Sequence, residues 1–328
     1  MAKRNIERFQ SYAQEHGLRV RPHIKTHKLP LFAEMQLGAG AFGITCQKVS
    51  EAAAMVAGSP VIRDRRRKAY TSQGARPQGP SVGGRRQPRG DGWSLCHFEN
   101  AAEPLAVLVE HDTGANRCGV GDPQAADALA AYLDAASGLA FGGLMTYPPP
   151  AGGEAAVQRY MREAKALIDA RGLAVPVITS GGTPSMMRTA NAPVVSEYRP
   201  GTYVYNERSL VSLGVCSWAD CALTVLATVV SVPMENRAII IAGSKALTSD
   251  LLGPQGHGHV LGHDDIAIDQ YIRGARASAE FRTDRPRRRR QGPDRACVVT
   301  NLFGTLLLTG AKSEFSVPTL VVTRGRTT

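Results

Sequence analysis

No unbroken apolar run of about 18 residues occurs in this chain, which excludes an ordinary membrane-spanning helix. The start, MAKRNIERFQ, is charged and lacks the apolar core of a secretory signal. Cysteine is sparse, with six scattered over 328 residues and no C-x-x-C pair, so no disulfide framework is read. These absences make the cytoplasm the expected compartment. Aromatic residues are sparse in the basic stretch 61–100, where only Tyr70, Trp93 and Phe98 occur. Stacking platforms for single-stranded nucleic acid need interleaved aromatics, so that reading of the basic charge is set aside.

The charge itself is unevenly placed. Residues 62–90 carry a net +8 and residues 273–295 a net +6, against +11 for the whole chain, which leaves the remainder at about −3. The body is therefore mildly acidic, with two basic islands. The first lies inside 61–100, a stretch rich in Arg, Gly, Pro and Gln with neither a 2.0 nor a 3.6 apolar period. Such text offers too little apolar surface to offset the entropy of ordering it.

Outside the islands the text is that of a folded protein, 43% apolar and long enough for a sizeable core. Residues 3–16 read as an amphipathic helix through Ile6, Phe9, Tyr12 and Ala13. The run Arg21-Pro22-His23-Ile24-Lys25-Thr26-His27-Lys28 follows. Read as a strand, it turns Arg21, His23, Lys25 and His27 to one face, where four basic or imidazole groups suit an anion or an electrophile rather than a core. A helix with Leu31, Met35 and Leu37 on one side comes next. A strand ending at Thr45-Cys46-Gln47-Lys48 and a helix over 50–57 complete a βαβα unit.

Order resumes at Pro104 with the strand LAVLVE and the polar turn HDTGANRCGV, a helix over 124–136, the strand FGGLMTYPPP and a helix over 154–171. VPVITSGGTPSM and VVSEYRPGTYVY close the series, and this alternation predicts a (β/α)8 barrel. From Cys216 onward only β-branched runs broken by turns appear, which predicts a C-terminal β-domain. The expected domains are 1–215, irregular over 61–100, and 216–328, irregular over 272–295.

RPHIKTHK followed by AGAFGITCQKVSEA resembles the D-threonine aldolase and D-serine dehydratase-like family, pyridoxal-phosphate enzymes of the alanine-racemase group (fold type III). The resemblance covers roughly 1–58, 104–270 and 296–310. It implies a lyase acting on a small β-hydroxy D-amino acid. The runs CSWADCALTVLATVVS and GSKALTSDLLG look closer to aldolases than to dehydratases that eliminate the β-hydroxyl. It further implies that Lys25 forms the imine with pyridoxal phosphate, with burial and the neighbouring His23 and His27 lowering its pKa. The turns Ser180-Gly181-Gly182-Thr183 and Gly201-Thr202, each directly after a strand, then suit the cofactor phosphate. By the same resemblance Arg199 faces the pyridine nitrogen and Tyr147 is an active-site tyrosine. A homodimer or a monomer is the expected assembly, with neither nucleic acid nor membrane as partner.

Three departures accompany the resemblance. The family carries a divalent metal, zinc or manganese, held by an H-x-C or H-x-D pair. Here Cys297 matches, but Arg295 stands where the histidine is expected, and a permanently protonated guanidinium is no ligand. His257, His259 and His263 offer a weaker H-x-H-x3-H alternative. The family's third and fourth barrel strands fall in 61–100, and a strand precedes the first helix in the family, so the N-terminus reads as truncated. Finally, S-E-E-H-G-H written in GC-rich codons and read out of frame becomes Arg-Gly-Ala-Arg-Ala, the residues at 273–277. A frame-disrupted gene with an inactive product is thus a competing expectation.

Overall fold

In the computed structural model the described residues are 1–64, 70–71, 104–234, 236–244, 246–248, 250–271, 277–281, 295–300 and 321–323. The irregular intervals expected at 61–100 and 272–295 lie largely outside them. Residues 61–64 are helical, however, and 277–281 form a strand. Among the described residues no helix is long and apolar enough to cross a membrane.

The chain divides into two compact units, one made of Phe9–Lys25 and Leu29–Gly201, the other of Met1–Arg8, Thr26–Lys28 and Thr202–Thr328. The first unit is built on parallel strands. Strands β1 (Arg19–Val20), β4 (Leu105–Glu110), β5 (Leu139–Met145), β6 (Ile178–Gly181) and β7 (Glu197–Arg199) form one sheet in the order β1-β7-β6-β5-β4. Strands β2 (Thr45–Cys46) and β3 (Tyr70–Thr71) form a second parallel pair. An isolated bridge from His23 to Thr45 continues the arrangement beyond β1. Helices α2 (Pro30–Gly38), α3 (Val49–Gly58), α5 (Pro123–Ala135) and α6 (Glu154–Ala170) connect the strands, as a parallel sheet requires.

Local chemistry explains these elements. Helix α1 (Ala2–Glu15) buries Ile6, Phe9 and Ala13 at helical spacing. Helix α5 starts at Pro123 behind Asp122, whose carboxylate accepts the Ala125 amide at 2.7 Å. Helix α6 faces the core through Val157, Met161, Ala164 and Ile168, a 3–4 repeat. In β5, Gly143 has φ +124°, and a Cβ there would lie 2.2 Å from the Val177 carbonyl oxygen, so no other residue fits. Helix α2 departs from its expected face, because it buries Ala33, Gln36 and Leu37 while Leu31 is 64% exposed.

The second unit is antiparallel. Strands β8 (Leu223–Met234), β9 (Arg237–Ile240), β10 (Gly258–Val260), β11 (His263–Tyr271), β12 (Ala277–Phe281), β13 (Arg295–Val299) and β14 (Val321–Thr323) form one sheet, which also pairs β13 with β8. Its core gathers Val225, Ala227, Ile240, Ala242, Leu247, Val260, Ile268 and Val298.

Candidate active site

Five parallel strands of the first unit end on the same side, and the chemistry-bearing residues stand at or just past those ends. Lys25 follows β1, Glu110 closes β4, Tyr147 follows β5, Gly181 closes β6 and Arg199 closes β7. Carboxyl ends of parallel strands are where such sheets build sites, since loops there are free to vary while the strands stay fixed.

The run at 21–28 is not the extended strand its alternation predicts. Strand β1 ends at Val20, and Ile24–Thr26 is a turn of 3-10 helix. The amide of His23 donates to the Pro200 carbonyl at 2.8 Å, and the amide of Thr45 donates to the Pro22 carbonyl at 2.7 Å. These bonds carry the extended pairing on as far as His23, where the 3-10 turn ends it, so Lys25 and His27 do not share a strand face with Arg21 and His23. Arg21 is buried, donating from Nε to Glu197 at 2.9 Å with the Phe42 ring beneath it. Its role is an internal ion pair. His27 is buried and belongs by its contacts to the second unit.

Lys25 is partly buried, and its pKa is lowered first by that burial and then by the guanidiniums of Arg117 and Arg199, with Glu51 opposing. The histidines are not the cause; the influence runs the other way. Burial, then Lys25 and Arg199, push the His23 ring down to about 3, and only the hydrogen bond with the Gln47 side chain opposes this. Nδ1 of His23 accepts the Lys25 amide at 3.3 Å, which assigns the remaining ring proton to Nε2. The result is a neutral imidazole splinting the turn that carries the lysine.

The glycine turn after β6 meets Tyr147 and Arg199. Gly182 has φ +108°, and a Cβ on it would come within 3.5 Å of the Tyr147 ring. A Cβ on Gly181 would lie 3.1 Å from the Arg199 carbonyl oxygen and 3.6 Å from its guanidinium carbon. Without side chains at these two positions the turn's backbone comes close to both Tyr147 and Arg199. Ser180 and Thr183 flank it and are buried, and Thr183 opens the 3-10 helix Thr183–Asn191. Tyr198 props the turn from behind, donating its hydroxyl to the Gly182 carbonyl at 2.7 Å and sharing a 2.9 Å bond with Ser185. Arg199 is held by Thr179 Oγ1 at 3.0 Å and the Thr146 carbonyl at 2.9 Å. Gly201 ends the first unit, while Thr202 opens the turn Thr202–Val204 of the second.

Sequence reasoning passed over Arg117, Glu110 and Tyr198. Arg117 lies 4.9 Å above the Tyr147 ring, a cation–π distance. The loop that delivers it is an Asx turn, in which the Asp112 carboxylate accepts the amides of Gly114 at 2.9 Å and Asn116 at 3.1 Å. The signal was present in the text DTGAN, whose turn chemistry fixes the following arginine. Glu110 carries a pKa raised by burial, with Arg199 and Arg117 pulling it back. No residue-type pattern in a single strand marks such a group.

These residues fit pyridoxal phosphate. The glycine turn carries no side chains at Gly181 and Gly182, two arginines supply positive charge, and the amine of Lys25 is biased toward its neutral, nucleophilic form. The residues expected to hold a metal do not fit in the same way. Among the described residues no group of three or more His, Cys, Asp or Glu could hold an ion. Cys297 lies in β13 opposite Leu226, and Arg295 opens that strand opposite Thr228. His257 stacks on Tyr271 at 4.0 Å and His259 on Trp218 at 3.7 Å, while His263 opens β11. No chemical step is therefore derived through a metal.

Comparison with known proteins accounts for this arrangement. Residues 90–209 match the alanine racemase N-terminal domain, and residues 222–309 match a serine dehydratase domain. The chain is 32% identical over 306 residues to a D-threonine aldolase of Arthrobacter sp., covering 83% of this chain and 78% of the relative. It is 30% identical over 281 residues to D-threo-3-hydroxyaspartate dehydratase of Delftia sp. (strain HT23), covering 76% and 70%. The solved D-threonine aldolase of Filomicrobium marinum superposes with a TM-score of 0.73 at 22% identity, covering 93% of this chain and 86% of that one, which speaks for the fold. A relative this similar over most of its length, two consecutive domain matches and a shared fold lead to one assignment: the chain belongs to the D-threonine aldolase and D-serine dehydratase-like family, with the alanine-racemase fold of barrel and β-domain.

Proposed function

We propose that this chain is a pyridoxal-phosphate-dependent lyase of β-hydroxy D-amino acids, cleaving the Cα–Cβ bond to release glycine and an aldehyde. The observation that carries this reading is the lysine at the mouth of the parallel sheet. Its amine is kept toward the neutral form by burial and two guanidiniums, and the glycine turn of Gly181 and Gly182 belongs to the same set of strand ends.

When bound, the cofactor supplies an electron sink for negative charge developing at the substrate α-carbon. The protein's own residues do the rest. Lys25 is the covalent attachment point, and its lowered pKa leaves a larger share of nucleophilic amine at neutral pH. Backbone amides of the Ser180–Thr183 turn would hold the phosphate, and Gly201 and Thr202 are each proposed as further donors to it. Arg199, held by Thr179 and the Thr146 carbonyl, would be the permanently protonated group offered to the cofactor's ring nitrogen. Arg117 and Tyr147 form a wall of the cavity and supply a positive edge for a carboxylate. His23 serves as a neutral support; a base with a pKa of about 3 holds no proton at pH 7 and gains one reluctantly.

The aldolase reading is preferred to the dehydratase reading on the aldolase-like runs CSWADCALTVLATVVS and GSKALTSDLLG, and a D-threonine aldolase is among the relatives. A dehydratase is among them too, so the products decide. The proposal includes a cytoplasmic enzyme that acts as a homodimer.

The test uses the purified chain incubated with pyridoxal phosphate, reduced with borohydride and mapped by peptide mass. Reduced cofactor on the Lys25 peptide, absent from Lys25→Ala, is the expected result. Label spread over surface lysines, or none, overturns the reading and favours the inactive product of a disrupted gene. D-threonine is then supplied: glycine with acetaldehyde supports the aldolase, whereas a 2-oxo acid with ammonia makes the chain a dehydratase.

A further inference from the structure

The second unit contains a cysteine pair that the lyase chemistry does not use. Cys216 and Cys221 flank the 3-10 turn Trp218–Asp220. The turn is tied at both ends by a capping box. The Asp220 carboxylate accepts the Ser217 amide at 2.9 Å and the Ser217 hydroxyl at 2.7 Å, and the Asp220 amide returns to the Ser217 carbonyl at 2.9 Å. The Cys221 thiol lies 3.8 Å from the Ser217 carbonyl oxygen and beside the Cys216 sulfur, two acceptors for its single proton. The Glu207 amide also donates to Cys216. Arg4 and Arg8 pair with Asp220 at 3.1 and 3.8 Å, and the Asn5 side chain donates to the Asp220 carbonyl at 2.9 Å. Both sulfurs are thiols, with Cys216 half-buried and Cys221 buried.

We propose that Cys216 and Cys221 form a reversible dithiol–disulfide site, with Cys216 as the attacking sulfur and Cys221 as the resolving one. Three features divide the roles. Access from solvent is greater at Cys216. The Cys221 thiol, with the Glu207 amide and the Arg8 charge, stabilises negative charge on the Cys216 sulfur against the opposing effects of burial and the Asp220 carboxylate. Burial and the proximity of Cys216 keep Cys221 protonated until the first step has removed that negative charge.

The co-reactant is a peroxide. The Cys216 thiolate attacks a peroxide oxygen; the S–O bond forms, the O–O bond breaks, and the departing hydroxide takes a proton to become water. The Cys221 sulfur then attacks the sulfur of the resulting sulfenic acid as its own proton leaves. The S–S bond forms, the S–O bond breaks, and a second water departs. Two thiols lose two electrons and two protons, and one hydrogen peroxide becomes two waters. Closing the bond draws the sulfurs to about 2.05 Å across a turn already held by Ser217 and Asp220.

The test is made on the full chain. Both cysteines fall in one tryptic peptide, since no Lys or Arg separates them. The protein is treated with about one equivalent of hydrogen peroxide, alkylated, and mapped by mass. The proposal expects that peptide to lose about 2 Da and to escape alkylation, with dithiothreitol restoring both, while the exposed Cys118 remains alkylated. In Cys221→Ser the oxidation stops at Cys216, and a dimedone adduct appears there. In Cys216→Ser, Cys221 keeps its thiol under the same treatment. Unchanged alkylation of the pair while Cys118 is consumed overturns the proposal, as does sulfinic acid at Cys216 with Cys221 intact. The wild-type reading stands even if one variant does not fold.

Discussion

The hydroxyl of Tyr198 donates to the carbonyl oxygen of Gly182 at 2.7 Å, so a side chain from β7 fixes the turn after β6. Tyr198→Phe removes that bond and leaves Ser185 with one partner fewer. Loss of a buried neutral hydrogen bond is worth about 1 kcal/mol, rising to about 3 where a group is stranded. Pyridoxal phosphate affinity should fall by roughly 5- to 100-fold, read by fluorescence titration, with the fold retained by circular dichroism. Unchanged affinity would remove Tyr198 from any role in shaping the turn.

The Lys25 amine owes part of its lowered pKa to the Arg117 charge. A cation disfavours the charged form of its neighbour, so removing it raises the lysine pKa. Arg117→Met should therefore shift the pH dependence of cofactor attachment toward alkaline pH. Stopped-flow absorbance across pH 6–10 checks this. A shift toward acid would contradict the assigned sign.

His23 has a folded pKa of about 3, below its unfolded value of about 6.5. Protons then bind the unfolded chain preferentially, so the contribution of this group is fully present above about pH 6.5 and is lost as pH falls toward 3. Urea midpoints of the cofactor-free protein should decline over that window, and His23→Gln should flatten the decline. The slope from one such group is at most about 1.4 kcal/mol per pH unit.

Arg21 and Glu197 form a buried pair with side-chain exposures of 1% and 2%. Removing one partner strands the other charge in the interior. Glu197→Gln or Arg21→Met should each cost about 3–5 kcal/mol, whereas the double change to Met and Leu should recover most of that loss. Denaturant unfolding of the three variants measures the coupling; simple additivity would mean that the pair is not coupled.

Gly143→Ala places a methyl group 2.2 Å from the Val177 carbonyl oxygen at a φ of +124°. Two penalties coincide, and a loss of about 3 kcal/mol or more is expected. Soluble yield and thermal midpoint are the direct readouts.

Much of this arrangement was legible in the text, and the reasons differ by residue. Gly182 and Arg199 could be located because a glycine turn or an R-P-G run directly after an apolar strand has few other places to be. Lys25 could be singled out from its H-x-K-T-H-K run, but the shape around it could not. The strand reading of 21–28 assumed an alternation running to residue 28, whereas the extended pairing stops at His23 and the 3-10 turn Ile24–Thr26 takes over. Arg21 looked like an anion contact because its partner, Glu197, is remote in sequence. Leu31 looked buried by helical periodicity, yet the neighbours of α2 cover Ala33, Gln36 and Leu37 instead. Arg117 was missed although its Asx turn is written in the sequence. Tertiary pairing decided each case, and a single sequence records none of it.

The Arg21–Glu197 pair spans 176 residues. During synthesis at roughly 5–20 residues per second, strand β1 therefore emerges some 10 to 35 seconds before the strand it hydrogen-bonds. Through that interval the nascent chain carries a charged arginine and an unpaired strand edge destined for the interior. Slow translation or a holding chaperone should consequently influence the yield of this protein more than its final stability does, and an early pause would lengthen the exposure whereas a pause past residue 199 would shorten the search.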